Sequence, residues 1–354
     1  MAYSINAKIC ELKPYDPIEG NYRIRLDANE SFLTPPPEIL EKIRAAAASV
    51  EFNRYPDPCA QELCAAFASY YGVKPENVAA GNGSDELISV LTGAFLMKGE
   101  KILTLSPDFS MYHFYGSLNE AKCCELRRNS DFTLNVDGLI RTVQDNRVRM
   151  LIFSNPCNPT SLGLCREEVR RLIRSVGCLV VLDEAYMDFW NQSLLGEVDN
   201  YDNLIILRTC SKAVGMAGIR LGFAVACQKL IRLLKAVKSP YNVNSVTQKI
   251  GTAVLSEKEW LRSCTKKIVE SRESLYGKIK KYQVESKSDF FVPESVTNFV
   301  TICFSEARDV FCALLEKGIA VRCFDGFLRI TAGTPEENDE FFRAFREIMD
   351  RRKR

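Results

Sequence analysis

The sequence predicts an α/β protein: a mostly parallel sheet covered by helices on both faces, followed by a smaller α+β domain. Three observations carry this expectation. Between Asn77 and Leu207, short continuous apolar runs alternate with helical periods, the pattern of strands buried on both faces. The unusual clusters of that region (Gly81–Glu86, Asp108-Phe109, Asn155–Thr160, Asp183–Tyr186, Ser211-Lys212) each follow a strand. In such sheets ligands bind beyond the carboxyl ends of the strands, so the clusters are expected to form one site. Past about Pro240 the alternation weakens into long charged helices and short strands.

In chain order, a polar, turn-rich segment through Lys13-Pro14-Tyr15-Asp16-Pro17 reads as an extended arm. Pro35-Pro36-Pro37 bars helix until about Glu38. A helix to Val50 follows, ended by the rigid turn Asn53-Arg54-Tyr55-Pro56-Asp57-Pro58. The next helix, Ala60 to Tyr71, is closed by Gly72 as a C-cap. Asn77–Ala80 is a strand, and the helix after it buries Leu87, Ile88, Leu91 and Phe95 on one face. Strand and helix then alternate: Ile102–Leu105, Met111–Leu118, Cys123–Leu126, Val136–Gln144, Val148–Phe153, Glu167–Ser175, Cys178–Leu182 and Leu204–Leu207. Beyond Pro240 come a helix over Glu257–Tyr282, strands at Asn298–Phe304, Ala320–Cys323 and Phe327–Thr331, and a last helix over Glu336–Arg352.

A chain of 354 residues is long enough for about two domains. The net charge of +2 gives no electrostatic reason to expect nucleic acid or a membrane surface as partner. No apolar run approaches membrane-spanning length and Met1–Cys10 has no signal-type core, so a cytoplasmic location is expected. There are 14 cysteines but no C-x-x-C pair, and His113 is the one histidine, which argues against a Cys/His zinc site and against chemistry needing two imidazoles. Cysteines in this number suit a reducing compartment.

The strand-end clusters share one chemistry. Lys212, just past the strand Leu204–Leu207 and followed by small residues, is placed to be desolvated and to form a Schiff base with a carbonyl. Ser211 and Arg220 offer a hydroxyl and a fixed cation for a phosphate. Gly81-Asn82-Gly83-Ser84-Asp85-Glu86 opens a helix whose amides suit the same anion. Its Ser84 is equally an N-cap, and Glu86 breaks the G-x-G-x-x-G dinucleotide pattern. Phe109 is core packing or a stacking platform. Asp183 caps a turn or keeps a heteroaromatic nitrogen protonated, and Asn158 and Tyr186 are donors suited to a phenolate oxygen. A phosphate clamp, a platform, an acid, phenolate donors and an imine-forming lysine together describe pyridoxal phosphate, an electron sink.

The order Asp183-Glu184-Ala185-Tyr186, Ser211-Lys212, Arg220 resembles the fold-type I aminotransferases. The full set resembles the histidinol-phosphate aminotransferase family, through Leu26–Glu30, Arg54–Pro58, Gly81–Ile88, Pro107–Tyr112, Lys238–Val243, Lys317–Arg322 and Leu328–Thr331. That resemblance runs from about Tyr15 to the end. It implies a fold-type I large domain (31–240) with a seven-stranded sheet, a small C-terminal domain (241–354), and an N-terminal arm (1–30) packing on the small domain. It also implies a homodimer that converts histidinol phosphate and 2-oxoglutarate to imidazole acetol phosphate and glutamate. By the same resemblance Lys212 carries pyridoxal phosphate, Asp183 pairs with the pyridine nitrogen, Asn158 and Tyr186 touch the ring oxygen, and Phe109 stacks on the ring. Ser84, Asp85, Ser211 and Arg220 hold the cofactor phosphate, joined by Tyr55 of a second subunit. Arg329 takes the substrate anion, Arg322 assists, and Tyr15 closes over the substrate.

Two positions depart from the family pattern: Ser161 stands where a glycine is usual, and the segment between Arg322 and Arg329 is short. Lys212, Asp183 and Arg220 fit equally an aromatic or other amino-acid aminotransferase, or a threonine-phosphate decarboxylase on the same fold. The presence of both Lys212 and Asp183 argues against a catalytically inactive cofactor-binding paralogue.

Overall fold

A computed structural model of the chain describes residues 3–10, 12, 14 and 17–352. In chain order the elements are α1 (Ala7–Cys10), β1 (Ile24–Leu26), α2 (Pro37–Ala48), α3 (Gln61–Tyr71), β2 (Val78–Gly81), α4 (Gly83–Phe95), β3 (Lys101–Ser106), α5 (Met111–Leu118), β4 (Lys122–Arg127) and α6 (Val136–Asp145). They continue with β5 (Met150–Ser154), α7 (Arg166–Ser175), β6 (Leu179–Asp183), β7 (Leu204–Thr209), β8 (Gly222–Ala226), α8 (Gln228–Val237), α9 (Ser245–Leu255), α10 (Lys258–Ser286), β9 (Phe299–Cys303), α11 (Ala307–Glu316), β10 (Ile319–Phe324), β11 (Phe327–Thr331) and α12 (Pro335–Arg352). Two differences from the expected elements concern the ends of the large region. The arm expected to be extended carries the helical turn α1. The strand β8, which was not anticipated, follows Arg220 so closely that no helical period announces it.

The large sheet has seven strands in the order β2-β8-β7-β6-β5-β3-β4. All neighbours are parallel except β8, which runs against both β2 and β7. Apart from the edge strand β4, its strands are largely apolar on both faces because both are covered. Leu151, Phe153, Val180, Leu182, Leu204 and Ile206 point into one core. Met150, Ile152, Val181, Ile205 and Leu207 point into the other. Successive side chains of a strand alternate sides, so continuous apolar runs are what two buried faces require.

A second sheet has the order β1-β10-β11-β9. Ile24 and Leu26 of β1 share its core with Val300, Ile302, Val321, Leu328 and Ile330, beneath Leu275 and Ile279 of α10 and Phe341 and Phe345 of α12. Thus β1, near the start of the chain, is stitched in parallel register to β10, near its end. The short segment between the two arginines is a tight hairpin. Phe324 pairs with Phe327, Gly326 turns at φ +77°, and Arg322 lies directly opposite Arg329. Among the described residues no helix is long and apolar enough to cross a membrane.

The two sheets are joined behind the site by the loop after β5. Ser161 is buried and adopts φ +69°, the left-handed region a glycine would take without penalty. Its hydroxyl donates to the Glu294 carbonyl at 2.9 Å, and its own carbonyl accepts from Val296 N at 3.1 Å. Thr301 of β9 donates to the Pro159 carbonyl at 2.8 Å. A side chain that costs conformational energy here therefore contributes a buried hydrogen bond across the join. Ser161→Ala keeps the Cβ and loses the bond, and is expected to destabilise by about 1–2 kcal/mol. Ser161→Gly also loses the bond but relieves the backbone, so its loss is expected to be smaller. Urea unfolding midpoints of the two variants check the order, and a glycine variant less stable than the alanine one would refute it.

Candidate active site

The carboxyl ends of β3, β5, β6 and β7, the N-terminus of α4 and the β10–β11 hairpin surround one cavity of about 330 Å³. Ser84, Asp85, Phe109, Asn158, Asp183, Tyr186, Ser211, Lys212, Arg220, Arg322 and Arg329, the residues singled out from the sequence, all line it. Tyr55 does not: its ring is 82% exposed and stacks on Tyr241 at 4.7 Å. Tyr15 lies outside the described residues.

Asp183 ends β6 in the middle of the sheet and is buried. Tyr112 of α5 donates its hydroxyl to Asp183 Oδ2 at 2.7 Å, and Ala185 N donates to Oδ1 at 3.0 Å. Burial nevertheless dominates those two bonds and pushes the carboxyl up to about 7, helped by the negative charges of Asp108 and Asp85. The geometry is that of a carboxylate facing a position where a cation would be strongly favoured.

Lys212 follows β7. Its Nζ donates to the Ala28 carbonyl at 2.8 Å and lies over the Tyr186 ring at 5.9 Å. Burial first, then the Arg329 and Arg220 cations, opposed by Glu30 and Asp85, lower its pKa to about 7. A neutral amine near pH 7 is a nucleophile. Tyr186 accepts at its hydroxyl from Asn29 Nδ2 at 2.9 Å, and its ring packs edge-on against Phe299 of β9.

At the other end of the cavity α4 begins without a side-chain cap. Gly83 takes φ +76°, and a Cβ there would lie 2.9 Å from Arg220 Nη2. A Cβ on Gly222 would lie 2.5 Å from the Ser84 amide nitrogen, so β8 can run beside this loop only as glycine. Arg220 points its Nη1 toward Ser211 Oγ at 3.4 Å and its Nη2 toward Asp85 at 3.6 Å. The second carboxylate oxygen of Asp85, Oδ1, is buried with no hydrogen-bond partner. Helix-terminal amides, two hydroxyls and a guanidinium converge as a phosphate site does.

Arg329 is buried. It donates to Asn158 Oδ1 and to the Asp27 carbonyl, and lies between the rings of Phe299 and Phe324 at 5.5 and 5.6 Å. Three residues of this constellation were not assigned roles from the sequence: Tyr112, Asn29 and Asp108. Tyr112 had a signal, since it follows the Phe109 platform by one helical turn. Asn29 had only its place in Leu26–Glu30, and Asp108 only its neighbour.

These residues suit pyridoxal phosphate: a buried carboxylate for a ring nitrogen, a low-pKa lysine, an aromatic ring beside them and an anion cradle at the far end. Fold and site thus define a pyridoxal-phosphate-type transferase of the α/β class. The family model for aminotransferase class I and II matches residues 23–345, and the chain belongs to that family. It is 43% identical over 337 residues to a Clostridium novyi protein named histidinol-phosphate aminotransferase, covering 94% of this chain and 93% of that one. A Clostridium kluyveri protein of the same name is 40% identical, over 95% and 96% of the two chains. Among solved structures, the histidinol-phosphate aminotransferase of Sinorhizobium meliloti in complex with pyridoxal-5'-phosphate superposes with a TM-score of 0.87 at 24% identity, over 99% and 98% of the chains. That last likeness is one of fold.

The raised pKa of Asp183 sets a signed expectation. Between the ordinary 3.8 and about 7 the folded protein holds a proton there that the unfolded chain has released. Stability of the protein stripped of cofactor therefore falls as pH rises through this window, and the penalty is complete above about 7. Asp183→Asn removes it, so the stripped variant is expected to melt higher than the stripped wild type at pH 8 and no higher at pH 4. Calorimetry at the two pH values tests this, and equal melting at pH 8 would contradict it. In the loaded enzyme the same substitution is expected to cut turnover by more than about 10²-fold.

Proposed function

We propose that the chain is a pyridoxal-phosphate-dependent aminotransferase that exchanges an amino group between L-histidinol phosphate and 2-oxoglutarate, giving imidazole acetol phosphate and L-glutamate, a step of histidine biosynthesis. The observation that carries this is a desolvated lysine sharing one cavity with a buried carboxylate and a buried arginine, in a chain alike over its full length to proteins of that name. Bound pyridoxal phosphate supplies an electron sink for the bonds at the substrate's amino-bearing carbon.

The chain's own residues supply the rest. Lys212 Nζ would hold the cofactor, and it is the amine placed to accept and give back a proton at the substrate's amino-bearing carbon. Asp183 would hold a proton on the ring nitrogen. Tyr186 and the Asn158 side-chain amide would donate to the ring oxygen, with Phe109 beside the ring. Ser84, Ser211 and Arg220 would bind the cofactor phosphate, with Asp85 orienting Arg220. Arg329, with Arg322 opposite it, takes the substrate's phosphate in one half-reaction and the carboxylate of glutamate in the other, because a planar guanidinium can bind either in bidentate fashion.

The same reading assigns residues 1–30 as the arm, 31–240 as the large domain and 241–354 as the small one. It makes the protein a cytoplasmic homodimer, with Tyr55 completing the partner's phosphate site and Tyr15 covering the substrate. Its support is the exposed stacked pair Tyr55 and Tyr241, with Phe52, three residues before Tyr55, also more than four-fifths exposed. Apolar rings exposed together on a surface are characteristic of an interface.

A screen of amino donors and acceptors is expected to show preference for histidinol phosphate with 2-oxoglutarate. Inactivity with that pair and activity with aromatic amino acids would overturn the substrate. Arg329→Lys keeps the charge but loses the fork. Single-turnover rates with histidinol phosphate and with glutamate are both expected to fall, by the equivalent of about 1.5–3 kcal/mol. A fall in the glutamate reaction alone would move the phosphate site elsewhere. Mixing Tyr55→Phe with Lys212→Ala chains is expected to yield hybrid dimers more active than either parent. Proven subunit exchange without such recovery would argue against a shared site.

A further inference from the structure

Asp108 sits in the loop between β3 and α5, lines the cavity and has a side chain only 1% exposed. The reactions proposed above do not use it. Its carboxylate nevertheless gathers donors from three elements. Arg128, immediately after the edge strand β4 and itself 5% exposed, approaches Oδ2 at 3.5 Å. The Phe109 amide donates to Oδ1 at 2.8 Å. Ser154, the last residue of β5, donates its amide at 3.3 Å and its hydroxyl to the same carboxylate. The Ser154 oxygen in turn accepts from the Asn158 backbone N–H at 3.1 Å. With Oδ1 of Asn158 taken by Arg329, the side-chain N–H2 is the Asn158 donor left for a ring oxygen.

We propose that Asp108 is a positioning residue for the cofactor: anchored by Arg128, its one carboxylate orients the Phe109 platform and, through Ser154, the Asn158 donor. The assignment rests on the cofactor reading of this site and deepens it. A buried ion pair is by itself weak evidence of a contribution to stability. What distinguishes this one is that its acceptor oxygens are used to fix two groups facing the cavity rather than to close the fold. The groups facing Asp108 are Arg128 from beyond β4, Asp183 from β6, Tyr112 from α5 and the Cys157 thiol from the loop after β5. Burial, countered by Arg128 and Ser154, brings Asp108 to about 6. Above that pH it is the charged acceptor that the Ser154 and Phe109 amides need. Below it, protonation removes that charge, leaves Arg128 without its counter-ion and loosens both amides.

The test is the affinity of the full-length chain, stripped of cofactor, for pyridoxal phosphate, followed by fluorescence between pH 5 and 8. Wild-type affinity is expected to decline below about pH 6. Asp108→Asn is expected to bind at least 10-fold more weakly at pH 8, with a shallower decline toward acid. Ser154→Ala spares the Arg128–Asp108 ion pair but removes the hydroxyl that joins Asp108 to the Asn158 backbone amide, and is expected to bind at least 3-fold more weakly. If Asp108→Asn melts lower yet binds with wild-type affinity and the wild-type pH profile, the pair is structural and the proposal fails. Should Asp108→Asn not fold, Ser154→Ala decides, and wild-type affinity in that variant overturns the proposal. A wild-type chain that binds no pyridoxal phosphate would overturn the cofactor reading itself, and this assignment with it.

Discussion

A carboxylate that the fold buries without an ion-pair partner is the constraint from which the site follows. Asp183 could shed its burial cost by meeting a cation, yet among the described residues no basic side chain lies within ion-pair distance of it. A phenol and one backbone amide hold it instead, and Asp108 and Asp85 make its ionisation harder still. Protein interiors tolerate such a group only when surrounding structure over-determines its position. Here that structure is the centre of the sheet: β5 and β7 flank β6 in parallel register, and α5 brings Tyr112 over the strand end. The parallel order brings Asn158, Asp183 and Lys212, which end or follow three adjacent strands, to one edge. The antiparallel β8 brings Arg220 back to the start of α4.

The second sheet takes part through Arg329. Its guanidinium reaches the loop after β5 and the segment after β1, so one side chain binds three parts of the chain that are far apart in sequence. Asn29 strengthens the same seam: it donates to Tyr186, its amide donates to Thr331, and its carbonyl accepts from Asn298. The residues Leu26–Glu30 are therefore less an arm than a seam between the sheets. They supply backbone carbonyls to the side chains of Lys212 and Arg329.

The alternation of elements was legible because strands buried on both faces cannot hide their apolar runs. From Val78 to Leu207 the expected and observed strands and α-helices differ only at their ends, and the short 3-10 turns at Met187–Phe189 and Leu195–Asn200 were not expected. Strand β8 was not legible, since Gly222–Ala226 is a run of mostly small residues with no polar break between it and the cluster before it. The cavity-lining side chains on strand ends were legible for a related reason: polar groups at the end of an apolar run have few other uses. Asn29 and Asp108 were not, because each acts by holding another group and neither has a type or spacing that marks it; Tyr112 also holds another group, and only its place one helical turn after Phe109 marks it. Ser161 shows the converse. Its identity flagged a departure, but only the φ of +69° and the bond to Glu294 explain how a serine stands in a glycine's place.

Arg329 also ties substrate binding to proton transfer. After burial, its charge is the largest influence holding Lys212 near 7. Under the role proposed for it, a phosphate or carboxylate bound at Arg329 cancels part of that repulsion. The proton affinity of Lys212 then rises when the substrate arrives, which is when the amine must accept a proton from carbon. The sign is fixed by Coulomb's law and does not depend on which of the two anions is bound. A lysine depressed by burial alone would stay depressed with substrate in place. One depressed partly by the group proposed to bind the substrate would be a weaker base before the anion arrives and a stronger one after it.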